Sequence, residues 1–272
     1  MSAKAFAHPV QTLREHVLAL EAAITVVLAG PKKEPVHRLR TSTRRIEAQL
    51  ELLSLLPDLP DHAKPARKVR KLLKKLRRAA GSVRDLEVQR KLVKEHVGAH
   101  PSKKLRRDGD DLRRTLKRQR VDEAARLVKL LEIDRQSLAP ALEHLLEILR
   151  PAEDLSLPRS RLAQLTLDWY KGKAPETDAN RDSDPDHLHT IRKSAKLARY
   201  IAEAGAPKTA QSFESLQEAG GAWHDLLTLS EITERQLGAR SPLTRMFAEQ
   251  QTSALETYRR ALGDHQAEVS PV

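Results

Sequence analysis

The chain contains no cysteine, so disulfides, thiolate metal sites and cysteine nucleophiles are excluded together. A cysteine-free protein suits a reducing compartment, and the cytoplasm is its expected location. Aromatic side chains make up only 3% of the 272 residues, which leaves little material for stacking on nucleobases. Long apolar runs are also missing: the stretch Ala22 to Ala29 is broken by Thr25 and falls well short of the roughly 20 residues a membrane helix needs. No basic end, apolar core and small-residue cleavage site follow one another, so no signal peptide and no membrane partner are expected. Histidines and carboxylates are not paired at metal-binding spacings, and a glycine-rich phosphate loop is absent, so neither a metal nor a cofactor is expected.

What the chain does carry is positive charge, unevenly placed. Lys and Arg outnumber Asp and Glu by 49 to 37. Up to Arg150 the counts are 34 basic against 19 acidic, and beyond it 15 against 18. The net excess therefore belongs to the first half. A field of that shape concentrates anionic ligands and says nothing about fold.

Helical periodicity runs nearly throughout, with no convincing strand. Apolar residues recur at three- and four-residue spacings over Val10 to Leu28, Val36 to Leu56, Ala66 to Ala80 and Val83 to Val97, which predicts an all-α protein. Further helices are predicted over Leu105 to Ile133, Ala141 to Arg150, Leu155 to Trp169, Leu188 to Ala204, Thr209 to Gly220, Trp223 to Leu237 and Leu243 to Leu262. Gly81, Pro140 and Gly221 stand at expected breaks. The polar stretch Lys171 to Asp186 is expected to be an exposed linker. Two halves follow, 1–150 and 151–272, with frayed ends over Met1 to Phe6 and His265 to Val272.

A histidine-led signature occurs twice. VHRLRTSTRRIEAQLELL begins at Val36 and LHTIRKSAKLARYIAE at Leu188, so His37 aligns with His189, Arg40 with Arg192 and Arg44 with Lys196. Positions i, i+3 and i+7 share one helix face, so each copy lines up an imidazole and two cations beside an apolar stripe. In the first copy that stripe is Val36, Leu39, Thr43, Ile46, Leu50 and Leu53. In the second it is Leu188, Ile191, Ala195, Ala198 and Ala202, with His189, Arg192, Lys196 and Arg199 on the flank. Arg38 and Arg45 fall away from the core and are expected on the solvent face.

A second match supports duplication. LRRAAGSVRDLEV at Leu76 aligns with LQEAGGAWHDLLT at Leu216, setting Gly81 on Gly221, Arg84 on His224 and Asp85 on Asp225. The expectation is that each glycine ends a helix in a left-handed conformation and each Asp caps the next one. Between His62 and Arg84 stand ten Lys or Arg and no acid. Val69, Leu72, Leu73, Leu76 and Ala80 mark the buried side of that helix, leaving Lys71, Lys74, Lys75 and Arg78 on the opposite face. Like charges at i and i+4 repel, so an anionic ligand is expected there.

These two recurring elements resemble the conserved histidine α-helical domain, CHAD, over nearly the whole chain. The resemblance implies two four-helix bundles related by pseudo-twofold symmetry around a basic central cavity that binds inorganic polyphosphate, and association with polyphosphate granules. By position it implies phosphate contacts from His37, Arg40, Arg44 and Arg84, and from His189, Arg192, Lys193, Lys196 and Arg199. Contacts from Lys74, Lys75 and Arg78 rest on the basic-helix reading. The copies differ, because Glu47 occupies the place of Arg199 and His224 that of Arg84.

The chemistry suits that ligand. A linear phosphate polymer carries regularly spaced negative charge, and Arg can pair with two phosphate oxygens at once. Nucleic acid is the rival partner, since the same cations would hold its backbone; few aromatics and no base-reading helix argue against it. A phosphohydrolase is the enzyme alternative, but the sequence offers no carboxylate cluster for magnesium and no activated nucleophile. Binding without catalysis is the expectation.

Overall fold

A computed structural model describes residues 6–175 and 184–269. Nine α-helices are formed by these residues: α1 (Pro9–Ala29), α2 (Lys33–Leu53), α3 (Ala63–Val97), α4 (Lys103–Leu149), α5 (Arg159–Lys173), α6 (Pro185–Ala202), α7 (Pro207–Ser212), α8 (Glu214–Leu237) and α9 (Pro242–Val269). Two short strands, β1 (Phe6–Ala7) and β2 (Leu157–Pro158), pair antiparallel, Phe6 opposite Pro158 and Ala7 opposite Leu157. The protein is all-α, as its periodicity requires.

Both apolar stripes are buried as their spacing dictates. Val36, Leu39, Thr43, Ile46, Leu50 and Leu53 on α2 have no solvent exposure, nor do Ile191, Ala195, Ala198 and Ala202 on α6, and Leu188 has almost none. At about 25 cal/mol per Å² of apolar surface, each large side chain in such a stripe contributes about 1.5–3 kcal/mol.

The chain folds as two compact units. The first comprises Met1–Arg84, Glu123–Lys173 and Leu197–Gln211; the second comprises Asp85–Asp122, Ala174–Lys196 and Ser212–Val272. The first unit packs Leu13, Leu20, Leu39, Ile46, Leu50, Leu73, Leu127 and Leu145 into its core. The second has its own core, including Val93, Leu112, Leu116, Leu229, Leu243 and Phe247. These units do not coincide with the halves 1–150 and 151–272 expected from the polar stretch Lys171 to Asp186: their boundaries fall inside α3, α4 and α6.

Three expected breaks are not breaks. Gly81 lies inside α3, Gly220 and Gly221 lie inside α8, and Pro140 lies inside α4. Glycine in a helix costs about 0.5–1 kcal/mol relative to alanine and an interior proline about 3 kcal/mol. Buried apolar neighbours sustain the helices: Leu76, Ala80 and Val83 around Gly81, Leu216 and Trp223 around Gly220 and Gly221, and Leu138, Ala141 and Leu142 around Pro140. Asp85 and Asp225 are consequently mid-helix residues, not first-turn caps. The left-handed glycine at a helix end is Gly238, which follows α8 with φ 81°.

The expected linker is helical at both edges, with Lys171–Lys173 closing α5 and Pro185 opening α6; positions 176–183 lie outside the described residues. The expected frayed ends are partly ordered: Phe6 pairs in β1, and His265 is 3% exposed, its Nδ1 lying 3.1 Å from the Ser212 carbonyl. Positions 1–5 and 270–272 lie outside the described residues.

Candidate anion-binding site

In the first unit, α2 and α3 face each other through charged flanks. On α2, Arg40, Arg44, Glu47 and Glu51 succeed one another at helical spacing; on α3, Arg70, Arg77 and Arg84 recur every seven residues and so share a face. Glu51 pairs with Arg70 at 3.2 Å and Glu47 with Arg77 at 2.5 Å. Beyond Glu47 the carboxylates of the α2 flank end while the cations continue as Arg44 and Arg40.

Arg44 bears the consequence. Burial, then the neighbouring charges of Arg40 and Arg77, push its pKa down to about 10, with Glu47 and Tyr200 acting in the opposite direction. Its Nε is buried without a hydrogen-bond partner. The guanidinium stays charged at neutral pH, but the fold opposes that charge and an anion would relieve it.

The last turns of α6 complete this environment. Tyr200 is raised in pKa chiefly by burial, in the company of Arg44, Glu203, Arg199 and Arg45. Glu203 takes both Arg45, at 3.2 Å, and Arg199, at 3.4 Å. Arg45 is exposed, as expected, and from the solvent face it also makes a tertiary ion pair. Arg38 is on the solvent face too, 73% exposed and paired with Glu34 one turn away.

His37 is exposed and lines a different feature, a groove of about 680 Å³ between α1 and α2, with Ala19, Ala22, Ala23 and Val26 on one wall and Thr41, Ser42 and Arg45 on the other. On α3, Lys74, Lys75 and Arg78 are exposed as expected. Lys75 pairs with Asp134 at 2.8 Å. Arg77 and Lys75, two positions apart, point to nearly opposite sides of the helix. Arg84 is half-buried in line with Arg70 and Arg77.

The second unit builds its stripe otherwise. His189, Arg192 and Lys196 are half-buried on one face of α6, and Lys193 is exposed at its edge. The His189 and His224 rings lie 4.7 Å apart by centroid, and an Arg192 Nη2 stands 3.5 Å from His189 Nδ1. Beneath them Trp223 stacks on Tyr258 at 5.6 Å, and the Tyr258 hydroxyl donates to the Leu188 carbonyl at 3.1 Å. Gly220 makes this approach possible: a Cβ there would stand 2.8 Å from the Tyr258 ring and 3.0 Å from Arg192 Cγ. Gly221, the residue aligned with Gly81, has open space instead.

The profile of the CHAD domain family matches residues 11–234. The chain belongs to the CHAD domain family. Two solved structures share the CHAD fold seen here: PptA from Streptomyces chartreusis, at 16% identity and TM-score 0.68, covering 95% of this chain and 96% of that one, and the CHAD domain from the plant Ricinus communis, at 15% identity and TM-score 0.63, covering 97% and 94%. No curated protein matches the chain. Among the described residues of this CHAD domain, no helix is long and apolar enough to cross a membrane, and no group of three or more His, Asp or Glu is placed to hold a metal ion.

Sequence reading missed Arg77, Tyr200, His224 and the Trp223/Tyr258 floor as parts of the site. The seven-residue recurrence of Arg70, Arg77 and Arg84 was the available signal for the first. His224 was marked by its alignment with Arg84 in the repeat; nothing local marks Tyr200 or the Trp223/Tyr258 floor, because each is defined by the helix packed against it.

Proposed function

We propose that this CHAD domain binds inorganic polyphosphate without turning it over, through the Arg40/Arg44/Arg84 stripe in the first unit and the His189/Arg192/Lys193/Lys196 stripe in the second, with Arg199 joining the first. His37, Lys74, Lys75 and Arg78 contribute long-range attraction more than direct contact. The observation that carries this reading is Arg44, a half-buried cation whose Nε is buried without a hydrogen bond, crowded by Arg40 and Arg77 after the carboxylates of the α2 flank run out. Such a guanidinium is preorganised for a phosphate oxygen and costs the folded protein energy until one arrives.

Each charge-assisted hydrogen bond contributes about 1.5–3 kcal/mol, so a few distributed contacts give tight binding. Family membership supports polyphosphate over nucleic acid, and so does the scarcity of aromatics beside the cations of the first unit. Location in the cytoplasm, at polyphosphate granules, belongs to the same proposal.

Calorimetric titration of the full chain with polyphosphate of defined length, and with RNA of matched charge, tests it. The expected result is tight, salt-sensitive binding of polyphosphate, weaker binding of RNA and no release of orthophosphate. Equal affinity for RNA would overturn the polyphosphate preference, and orthophosphate release would overturn binding without turnover.

A further inference from the structure

His224 stands where the first copy of the repeat has Arg84. The substitution replaces a permanent cation by a group that titrates near neutrality. Its imidazole does not stand alone, since the His189 ring lies 4.7 Å away by centroid, tilted by 39°, and Arg192 reaches to 3.5 Å of His189 Nδ1. Both rings are half-buried and held from below, His224 beside Trp223 at 6.3 Å and Arg192 against the bare backbone of Gly220.

Two imidazolium ions at this separation, next to a guanidinium, repel one another. An adjacent carboxylate or phosphate favours their charged forms. The charged and titratable groups around the pair are unequal in sign. On α6 they are Arg192, Lys193 and Lys196. On α8, Asp225 follows His224 in the chain and Glu231 lies two turns on. On α9 they are the Tyr258 phenol, engaged with the Leu188 carbonyl, and the exposed Arg259.

We infer that His189 and His224 form a proton-coupled phosphate clamp, in which His224 is a ligand-binding residue and the pair takes up a proton when a phosphate chain binds. The inference rests on the polyanion reading above and adds a pH dependence to one of its two stripes. By linkage, each proton taken up strengthens binding about tenfold for every pH unit lowered across the range in which the pair titrates. The guanidiniums of the first unit carry no such dependence, because they stay charged throughout that range.

The test is calorimetric titration of the full chain with long-chain polyphosphate, whose internal phosphates do not titrate near neutrality, at pH 6, 7 and 8 and in buffers of different ionisation enthalpy. The wild type is expected to bind more tightly at pH 6 than at pH 8, with a heat that varies with buffer and reports proton uptake. H224Q and H189Q are each expected to lose most of that uptake. H224R, which restores the residue of the first copy, is expected to bind at pH 8 about as tightly as the wild type at pH 6, with little further gain on acidification.

Binding whose heat does not depend on buffer would overturn the clamp while leaving polyphosphate binding intact. Uptake that persists in H224Q and H189Q would also overturn it. Failure of the wild type to bind polyphosphate at any of the three pH values would overturn the polyanion reading, and the clamp with it.

Discussion

The two repeats place the same stripe beside different chemistry. In the first unit the stripe is made of guanidiniums, with Glu47 paired to Arg77 while Arg44 is half-buried and crowded by Arg40 and Arg77. In the second copy of the repeat, Gln217 aligns with Arg77, Arg199 with Glu47 and His224 with Arg84, and Trp223 stacks on Tyr258 where Tyr258 and Arg192 both approach Gly220. The comparison teaches that duplication conserved where the charges project and not how they are balanced. One stripe is made of guanidiniums; the other combines the cations Arg192, Lys193 and Lys196 with the paired imidazoles of His189 and His224.

The comparison breaks most completely if the first stripe is dispensable. Arg40→Ala combined with Arg44→Ala is expected to weaken polyphosphate binding by about 100-fold or more, since two charge-assisted contacts are removed, as read by titration at fixed salt. An unchanged affinity would assign binding to the second unit alone.

The packing contrast is tested at aligned positions, where the first copy has Ala80 and the second Gly220. Gly220→Ala forces a Cβ to within 2.8 Å of the Tyr258 ring and is expected to cost about 2 kcal/mol, as overpacking of a tight site does. Chemical denaturation of that variant measures the loss; no change in midpoint would mean that Arg192 and Tyr258 are not held by this contact.

A pH contrast exists in the first unit as well, of opposite sign to the clamp. Burial, aided by Arg45, lowers the His16 pKa to about 4, so His16 is neutral in the fold while the unfolded chain takes up a proton near pH 6.5. Stability is therefore unaffected above about pH 6.5 and falls as pH drops toward 4, by about 2 kcal/mol at pH 4.5. Thermal melts across pH 7 to 4.5 should show the wild type losing stability relative to His16→Gln as pH falls, and parallel curves would contradict the assignment.

The smallest effect separates stability from binding. Arg44→Met removes a cation that the fold opposes and is expected to stabilise the ligand-free protein by about 1 kcal/mol, raising its melting midpoint by about 2–4 °C, while weakening polyphosphate binding. A gain in stability at the expense of function is common where a site is strained in the absence of its ligand. A lower melting midpoint would show that Arg44 is already satisfied without an anion.

Much of the fold was legible because helical periodicity is a local property. The residues read as the apolar stripes of α2 and α6 are buried, and the exposed face of Lys71, Lys74, Lys75 and Arg78 is exposed. The glycine-marked breaks were misread for a physical reason: Gly81 and Gly221 weaken a helix locally, but packed neighbours along α3 and α8 sustain it. Arg45 lies on the solvent face as its place on the helical wheel predicts, but the wheel has no knowledge of its ion-pair partner Glu203, some 158 positions away.

The sequence by itself determined that this protein is helical, duplicated and striped with cations, since each of those follows from spacing along one chain. Only the tertiary structure decided which cations are neutralised, which is left crowded, and which histidine meets another. Charge balance depends on the residues that a neighbouring helix places opposite, and that is fixed by packing rather than by sequence distance.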